Sequence, residues 1–298
     1  MRISVIQSHR SHLYSYDPVQ PGDTDIGVLR AAADADMDHA FGLFAQAAAQ
    51  KTDLIVTTET INQVVQVHDM RYSLASLAEP LDGPLMARFS AFARRHAVHI
   101  VAGLLTRRGD RVFNSAVLFD RTGHAAGLFD KVHLPVGEVG VTAGSTYPVF
   151  ETDFGKLGML VCWDMQFPEA ARAMALAGAE LIACPTWGWQ KLYGCSRAVE
   201  NVVTIAAAIG VLPGQPVWAD CDPSCVISNE GKVLAEAPAL GTHVVTAEVD
   251  IHAAPPLPHY YVGHTTLKDM REVRFRQRRP ETYGSLTEPV KEEIRGRQ

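Results

Sequence analysis

An order of short apolar β-type runs and amphipathic helices that begins at Ile3 begins again at Leu157, and this duplication constrains the fold more than any other feature of the chain. In the first pass, Ile3–Gln7 reads as a strand. Met37, Ala40, Phe41, Phe44 and Ala48 fall at i, i+3, i+4, i+7 and i+11, the apolar stripe of a helix. Leu54–Thr57 is too brief for a helix and reads as the next strand. Asp82-Gly83-Pro84 sets Pro in the first turn of a second helix, whose Leu85, Phe89 and Phe92 share a face, and Ile100–Leu105 follows as a strand. Val112–Phe119 and Ala125–Phe129 flank Asp120-Arg121-Thr122-Gly123, which is hairpin-turn chemistry.

The second pass runs through strand Leu157–Val161, a helix from Pro168 to about Ala177, strand Leu181–Cys184, a helix around Ser196–Asn201 and strand Val202–Ile209. Ser224–Ser228 and Lys232–Ala235 then flank the turn Asn229-Glu230-Gly231, and Val244–Val249 closes the series. Little identity underlies the repeat beyond Asp53-Leu54-Ile55 against Glu180-Leu181-Ile182. Each half would bury one sheet face under its helices and the other against its counterpart. The expected fold is α/β, a four-layer α-β-β-α sandwich of two pseudo-symmetric halves, carried as a single domain over residues 1–298. Polar residues 8–27, with Pro and Gly among them, read as an N-terminal arm. From about residue 256 the chain becomes a tail, charged with both signs over Lys268–Arg279, expected to wrap a surface or a second subunit.

Ligands in open α/β sheets sit beyond the carboxyl ends of strands. Three reactive side chains stand directly after apolar β runs: Glu59, Lys131 and Cys162. Taken singly, each has an ordinary explanation, as a solvated strand-end carboxylate, a turn lysine and a small buried thiol. Together they supply what attack on an amide or nitrile carbon needs: a nucleophile, a base for its proton and a cation for the developing oxyanion. Cys162 also opens a strand-to-helix turn, with Pro168 starting the helix, so a following backbone N–H can serve the oxyanion. Cys184 is its rival, since it too ends a strand, although Pro185 follows it at once.

The segments DLIVTTE ending at Glu59, FDKVHLP around Lys131 and LGMLVCWDMQFPEAAR around Cys162 resemble the nitrilase, or carbon–nitrogen hydrolase, superfamily. NSAVLFDRTG, GAELIACPTW, SRAVEN and RRPETY are similar to it as well, in the right order over nearly the whole chain. The resemblance implies a Glu-Lys-Cys triad of Glu59, Lys131 and Cys162 on a sandwich that forms homodimers or larger homo-oligomers. Glu138 matches a second family glutamate that orients the lysine or the substrate. In these terms Glu59 is the general base, Cys162 forms a thioester with release of ammonia or amine, and Lys131 with the Trp163 N–H holds the oxyanion. Two positions depart from the family pattern: Thr58 where Pro is common before the base, and Gln166 where Arg is common.

True nitrilases carry CWE at the nucleophile, whereas Cys162-Trp163-Asp164 matches many amidase and carbamoyl-hydrolase branches, so a linear amide or N-carbamoyl substrate is expected over a nitrile. Trp163, Trp187 and Trp189 are candidates to line the substrate pocket, with packing between helix and sheet as the competing explanation. His133 is expected to make a structural hydrogen bond rather than act as a base, with no carboxylate partner assigned to it close in sequence.

Composition removes other classes. With 27 Lys+Arg against 33 Asp+Glu, a formal charge of −6 disfavours nucleic acid as the main partner. No apolar run approaches a membrane span, and the opening MRISVIQSHR lacks a signal-type apolar stretch. Five cysteines, an odd number in a chain too large to need staples, fit a reducing, cytoplasmic setting. Neither zinc-ligand spacing nor a Walker or Rossmann glycine pattern occurs, so no metal and no cofactor are expected. The competing expectations are nitrile hydrolysis by the same triad, and a non-catalytic binding or redox-sensing protein on this fold.

Overall fold

The computed structural model describes residues 1–9, 25–64, 77–136, 138–212 and 221–288. Of the arm expected at 8–27, residues 10–24 lie outside the described residues; Ser8 and His9 finish the first strand, and Ile26 and Gly27 open the first helix.

Contacts divide the chain into two units, Met1–Ala253 and Ala254–Gln298. The first contains strands β1 (Arg2–His9), β2 (Leu54–Val56), β3 (Glu79–Pro80), β4 (His99–Arg108), β5 (Arg111–Phe119) and β6 (Ala125–Asp130). It continues with β7 (Val149–Thr152), β8 (Gly155–Met159), β9 (Leu181–Thr186), β10 (Thr204–Val211), β11 (Cys225–Ile227), β12 (Val233–Glu236) and β13 (His243–Glu248). Among the described residues its α-helices longer than one turn are α1 (Ile26–Ala49), α2 (Pro84–His96), α3 (Pro168–Leu176) and α4 (Lys191–Asn201). The second unit carries helix α5 (Met270–Arg276), capped by the Asp269 side chain on the Glu272 N–H.

Strand pairing makes the duplication explicit. In the first half, β13 pairs antiparallel with β1, β1 parallel with β2, β2 parallel with β4, and β5 and β6 add antiparallel. In the second, β7 pairs antiparallel with β8, β8 parallel with β9, β9 parallel with β10, and β11 and β12 add antiparallel. The two series match strand for strand and sense for sense. Asp53-Leu54-Ile55 and Glu180-Leu181-Ile182 enter the equivalent strands β2 and β9. The halves join where Ser8 and His9 pair with Gly210 and Val211. This is the α/β sandwich expected, with two particulars that local pattern does not contain. Strand β7, half-buried and short, has no clear alternation, and β13 reaches its partner β1 from the far end of the unit.

Helices cover the outer faces because their apolar stripes need them. α1 buries Met37, Ala40, Leu43, Phe44 and Ala47, and α2 buries Met86, Phe89 and Ala93, all in one cluster with Ile55, Ile100, Ala102, Val117 and Phe119. Phe89 stacks on Phe119 with ring centroids 5.5 Å apart. α4 lies over β10 and β11 and also meets α3. Inner faces meet where β4 touches β9. There Gly103 has no side chain because there is no room: a Cβ would lie 2.7 Å from Pro185 Cβ and 2.4 Å from the Thr58 carbonyl. Among the described residues no helix is long and apolar enough to cross a membrane.

Candidate active site

Glu59 follows β2 on a segment tied to β4 at every step. Thr57 N–H donates to the Val101 carbonyl, Gly103 N–H to Thr57 Oγ1, and Ile61 N–H to the Gly103 carbonyl. Asn62 completes the attachment by exchanging two bonds with the Leu105 backbone, 2.8 and 3.0 Å. Thr58, the departure from Pro, is buried within this segment, and its carbonyl accepts from Thr57 Oγ1. Thr60 is held at φ 41°, an uncommon conformation for a β-branched residue. Cys162 stands at φ 45° in the 3-10 turn Cys162–Gln166 that follows β8. Strained backbone thus flanks the carboxylate and carries the thiol, as it often does where a side chain must be aimed.

Lys131 directly follows β6 and is 1 % exposed, and Glu59 is 2 % exposed. The lysine Nζ lies 2.7 Å from Glu59 Oε1 and 2.5 Å from Glu138 Oε1. Burial pushes the ammonium down, but Glu59, Cys162 and Glu138 together hold its pKa above the ordinary value, so it stays charged. Glu138 is raised to about 7, by burial first; Lys131 pulls it back and the Glu59 charge pushes it further up. The Cys162 thiol is pushed up to about 11 by burial and then by Glu59, against the pull of Lys131, the Thr186 hydroxyl and the Trp187 backbone N–H. Its Sγ also lies 3.5 Å from the Gly188 carbonyl. The site therefore holds a fixed cation between two carboxylates, with a neutral thiol beside them that needs a base to become a nucleophile.

The turn bearing Cys162 is anchored from two sides. Asp164 is fully buried and accepts from the Val161 N–H, from the His133 N–H at 2.8 Å and from His133 Nδ1 at 2.9 Å. The His133 ring stacks on Phe167 at 3.6 Å. The structural hydrogen bond expected of His133 is thus made to a carboxylate 31 residues away, and it joins the lysine loop to the cysteine turn. From α4, Arg197 donates to the carbonyls of Met165 and Gln166. The side chain at 166 is not what holds this turn's end; its backbone is.

Of the tryptophans, Trp163 is 41 % exposed beside Cys162, so the packing explanation does not hold for it. Trp187 is half-buried, its ring over Gly210 and its backbone N–H on the sulfur. Trp189 is buried in the core, its ring against Gly194 and its Nε1 donating to the Pro223 carbonyl, which is packing rather than pocket lining. Cys184 is fully buried with its thiol raised well above the ordinary value, so the rival nucleophile has no exposed sulfur.

Sequence reasoning missed Asn114, Thr186 and Gly188. Asn114, with Ser115 beside it, interrupts the apolar run on β5, and its side-chain nitrogen lies 2.7 Å from Glu59 Oε1 and 3.2 Å from Glu138 Oε1. An amide in the middle of a buried strand was the available signal. Thr186 and Gly188 gave none, because only the packing of β9 beside β8 brings the end of β9 and the turn after it to the sulfur. Among the described residues no group of three or more His, Cys, Asp or Glu is arranged to hold a metal ion.

Known proteins resemble this chain in sequence and in fold. A probable nitrilase of Schizosaccharomyces pombe is 30% identical over 249 residues, 80% of this chain and 86% of that protein. A citrullinase of Francisella tularensis is 27% identical over 265 residues, 81% and 88% of the two chains. The amidase from Nesterenkonia sp. AN1, in a structure with acrylamide added at its active-site cysteine, superposes with a TM-score of 0.69 at 21% identity, covering 96% of this chain and 99% of that one. The carbon–nitrogen hydrolase family matches residues 23–257, most of the chain and the whole of the site just described, and the chain belongs to that family of enzymes.

Proposed function

We propose that the enzyme hydrolyses a linear amide or N-carbamoyl compound through a thioester on Cys162, with Glu59, Lys131 and Glu138 completing the site. The observation that carries this reading is the buried Lys131 ammonium held 2.7 Å from Glu59, in electrostatic contact with the Cys162 sulfur. Glu59 takes the thiol proton as Sγ attacks the carbonyl carbon. The oxyanion faces Lys131 and the Trp163 N–H. Collapse breaks the carbon–nitrogen bond, and the proton on Glu59 passes to the departing ammonia or amine. Water, deprotonated by Glu59, then adds to the thioester; the carbon–sulfur bond breaks, and the thiol is restored.

A thiol near 11 supports general-base activation over a preformed thiolate, and a positioned base contributes about 10²–10⁴-fold. The citrullinase relative, named for a ureido substrate, supports the carbamoyl branch. Trp163 supplies an exposed aromatic face beside the thiol for the acyl part. The test is ammonia release from a panel of amides, ureido compounds and nitriles, with Cys162→Ala in parallel. Turnover of an amide or ureido compound that vanishes in the folded variant is expected. Turnover that survives Cys162→Ala, or that is confined to nitriles, overturns the reading.

A further inference from the structure

Two carboxylates share one ammonium in this site, which leaves one negative charge uncompensated when both are ionised. Glu59 and Glu138 each direct Oε1 at Lys131 Nζ, and the same two oxygens each meet Asn114 Nδ2. A carboxamide nitrogen carries two N–H groups, one for each oxygen. The reverse orientation would set the amide oxygen against two carboxylates, so electrostatics dictates which end of the amide faces them. Asn114 Oδ1 is buried without a hydrogen-bond partner among the described residues, a cost in free energy that the two bonds from Nδ2 to carboxylates offset. The adjacent polar residue of the same strand, Ser115, is also buried, but its hydroxyl meets Thr106 and Asp130, so Asn114 is the β5 side chain that reaches the two glutamates. The Asn114 carbonyl also accepts from the Lys131 N–H at 2.8 Å, so one residue fixes the lysine's backbone and both carboxylates.

We propose that Asn114 is a positioning residue whose two side-chain N–H groups hold Glu59 and Glu138 in place and favour their ionised forms, and so set the pH at which Glu59 becomes available as a base. The inference rests on Glu59 being that base. Among the described residues, the charged and titratable groups that act on Glu59 include Lys131 directly after β6, Glu138 from the loop beyond it, Cys162 from the turn after β8 and Cys184 from β9. None of them replaces the Asn114 donors: Lys131 is a cation already shared, Glu138 adds negative charge, and burial raises the two thiols, so they stay protonated.

The experiment is kcat/KM against pH for wild type, Asn114→Ala, Asn114→Asp and Cys162→Ala, with thermal unfolding as a check on folding. Donors to a carboxylate favour its charged form, so their loss moves the acid limb of the profile up by about one to two pH units in Asn114→Ala. Asn114→Asp keeps the volume but turns a donor into a third carboxylate, and is expected to shift the limb at least as far. KM should change less than about threefold, since Asn114 acts through the glutamates. A profile lowered uniformly without displacement, as a purely structural role would give, overturns the proposal. Turnover that persists in Cys162→Ala sinks the reading of the site instead and is recognisable as such. Should both Asn114 variants fail to fold, the wild-type Asn114 side-chain amide resonances decide: they are expected to titrate with the acid limb, and pH-independent resonances overturn the proposal.

Discussion

Gly103→Ala should disable the site while leaving the fold standing. Gly103 lies inside β4, and its φ is not in the left-handed region, so alanine meets no backbone penalty there. The obstacle is space. The added Cβ would sit 2.4 Å from the Thr58 carbonyl oxygen, 2.7 Å from Pro185 Cβ and 2.8 Å from Glu59 Cα, where ordinary contact begins at 3.4 Å. Relief requires the Thr58 carbonyl to move by about 1.0 Å and Glu59 Cα by about 0.6 Å, or the two half-sheets to part by a comparable amount. Overpacking of this kind costs about 1–3 kcal/mol, reduced by the few tenths to 1 kcal/mol that alanine gains over glycine in the unfolded chain. Activity should suffer more than stability, because a displacement of about 1 Å in a catalytic group costs about 10²-fold. Glu59 holds Lys131 at 2.7 Å, so any shift of its Cα is transmitted to that contact. The assay is kcat/KM on a substrate found by the ammonia panel, beside the midpoint of thermal unfolding. A folded variant with wild-type turnover would refute the claim that this close approach places Glu59. A lowered midpoint with turnover intact would show that the clash relaxes through Pro185 instead.

Other perturbations address the rest of the site. Glu138 sits near 7 in the folded protein against an ordinary 4.5, so the folded state holds its proton more tightly. This group's contribution to stability therefore declines as pH rises from about 4.5 through 7, and Glu138→Gln should remove that decline, read by urea unfolding at several pH values. With its thiol pushed up to about 11 by burial and by Glu59, Cys162 should stay protonated at neutral pH, so alkylation by iodoacetamide should keep rising with pH above pH 8. A plateau below pH 8 contradicts that. Asp164→Ala strands the N–H groups of Val161 and His133 and should cost about 2–4 kcal/mol in denaturant unfolding; a loss under about 0.5 kcal/mol removes the anchoring role. Gly42, inside α1 with nothing within 4 Å of its would-be Cβ, provides the opposite sign: Gly42→Ala should add about 0.5–1 kcal/mol and leave turnover unchanged.

Local pattern was sufficient wherever the physics is local. The stripe from Met37 to Phe44, Pro84 at its helix start and the turn at Asp120–Gly123 each report a face or a break, and each stands where those residues require. The order of those elements, met twice, was enough to imply two matching halves. Glu59, Lys131 and Cys162 were legible as well, because a reactive side chain directly after an apolar β run is a feature of the chain itself. Periodicity states which face is apolar and says nothing of which partner will cover it. Partners came only with tertiary structure: β13 beside β1 across the length of the unit, and Asp164 beneath His133. The same holds for Asn114 between two glutamates that lie 55 and 24 residues from it. Burial likewise separated Cys162 from Cys184 and Trp163 from Trp189, pairs alike in sequence setting, since access to solvent is a property of the packed molecule and not of the segment.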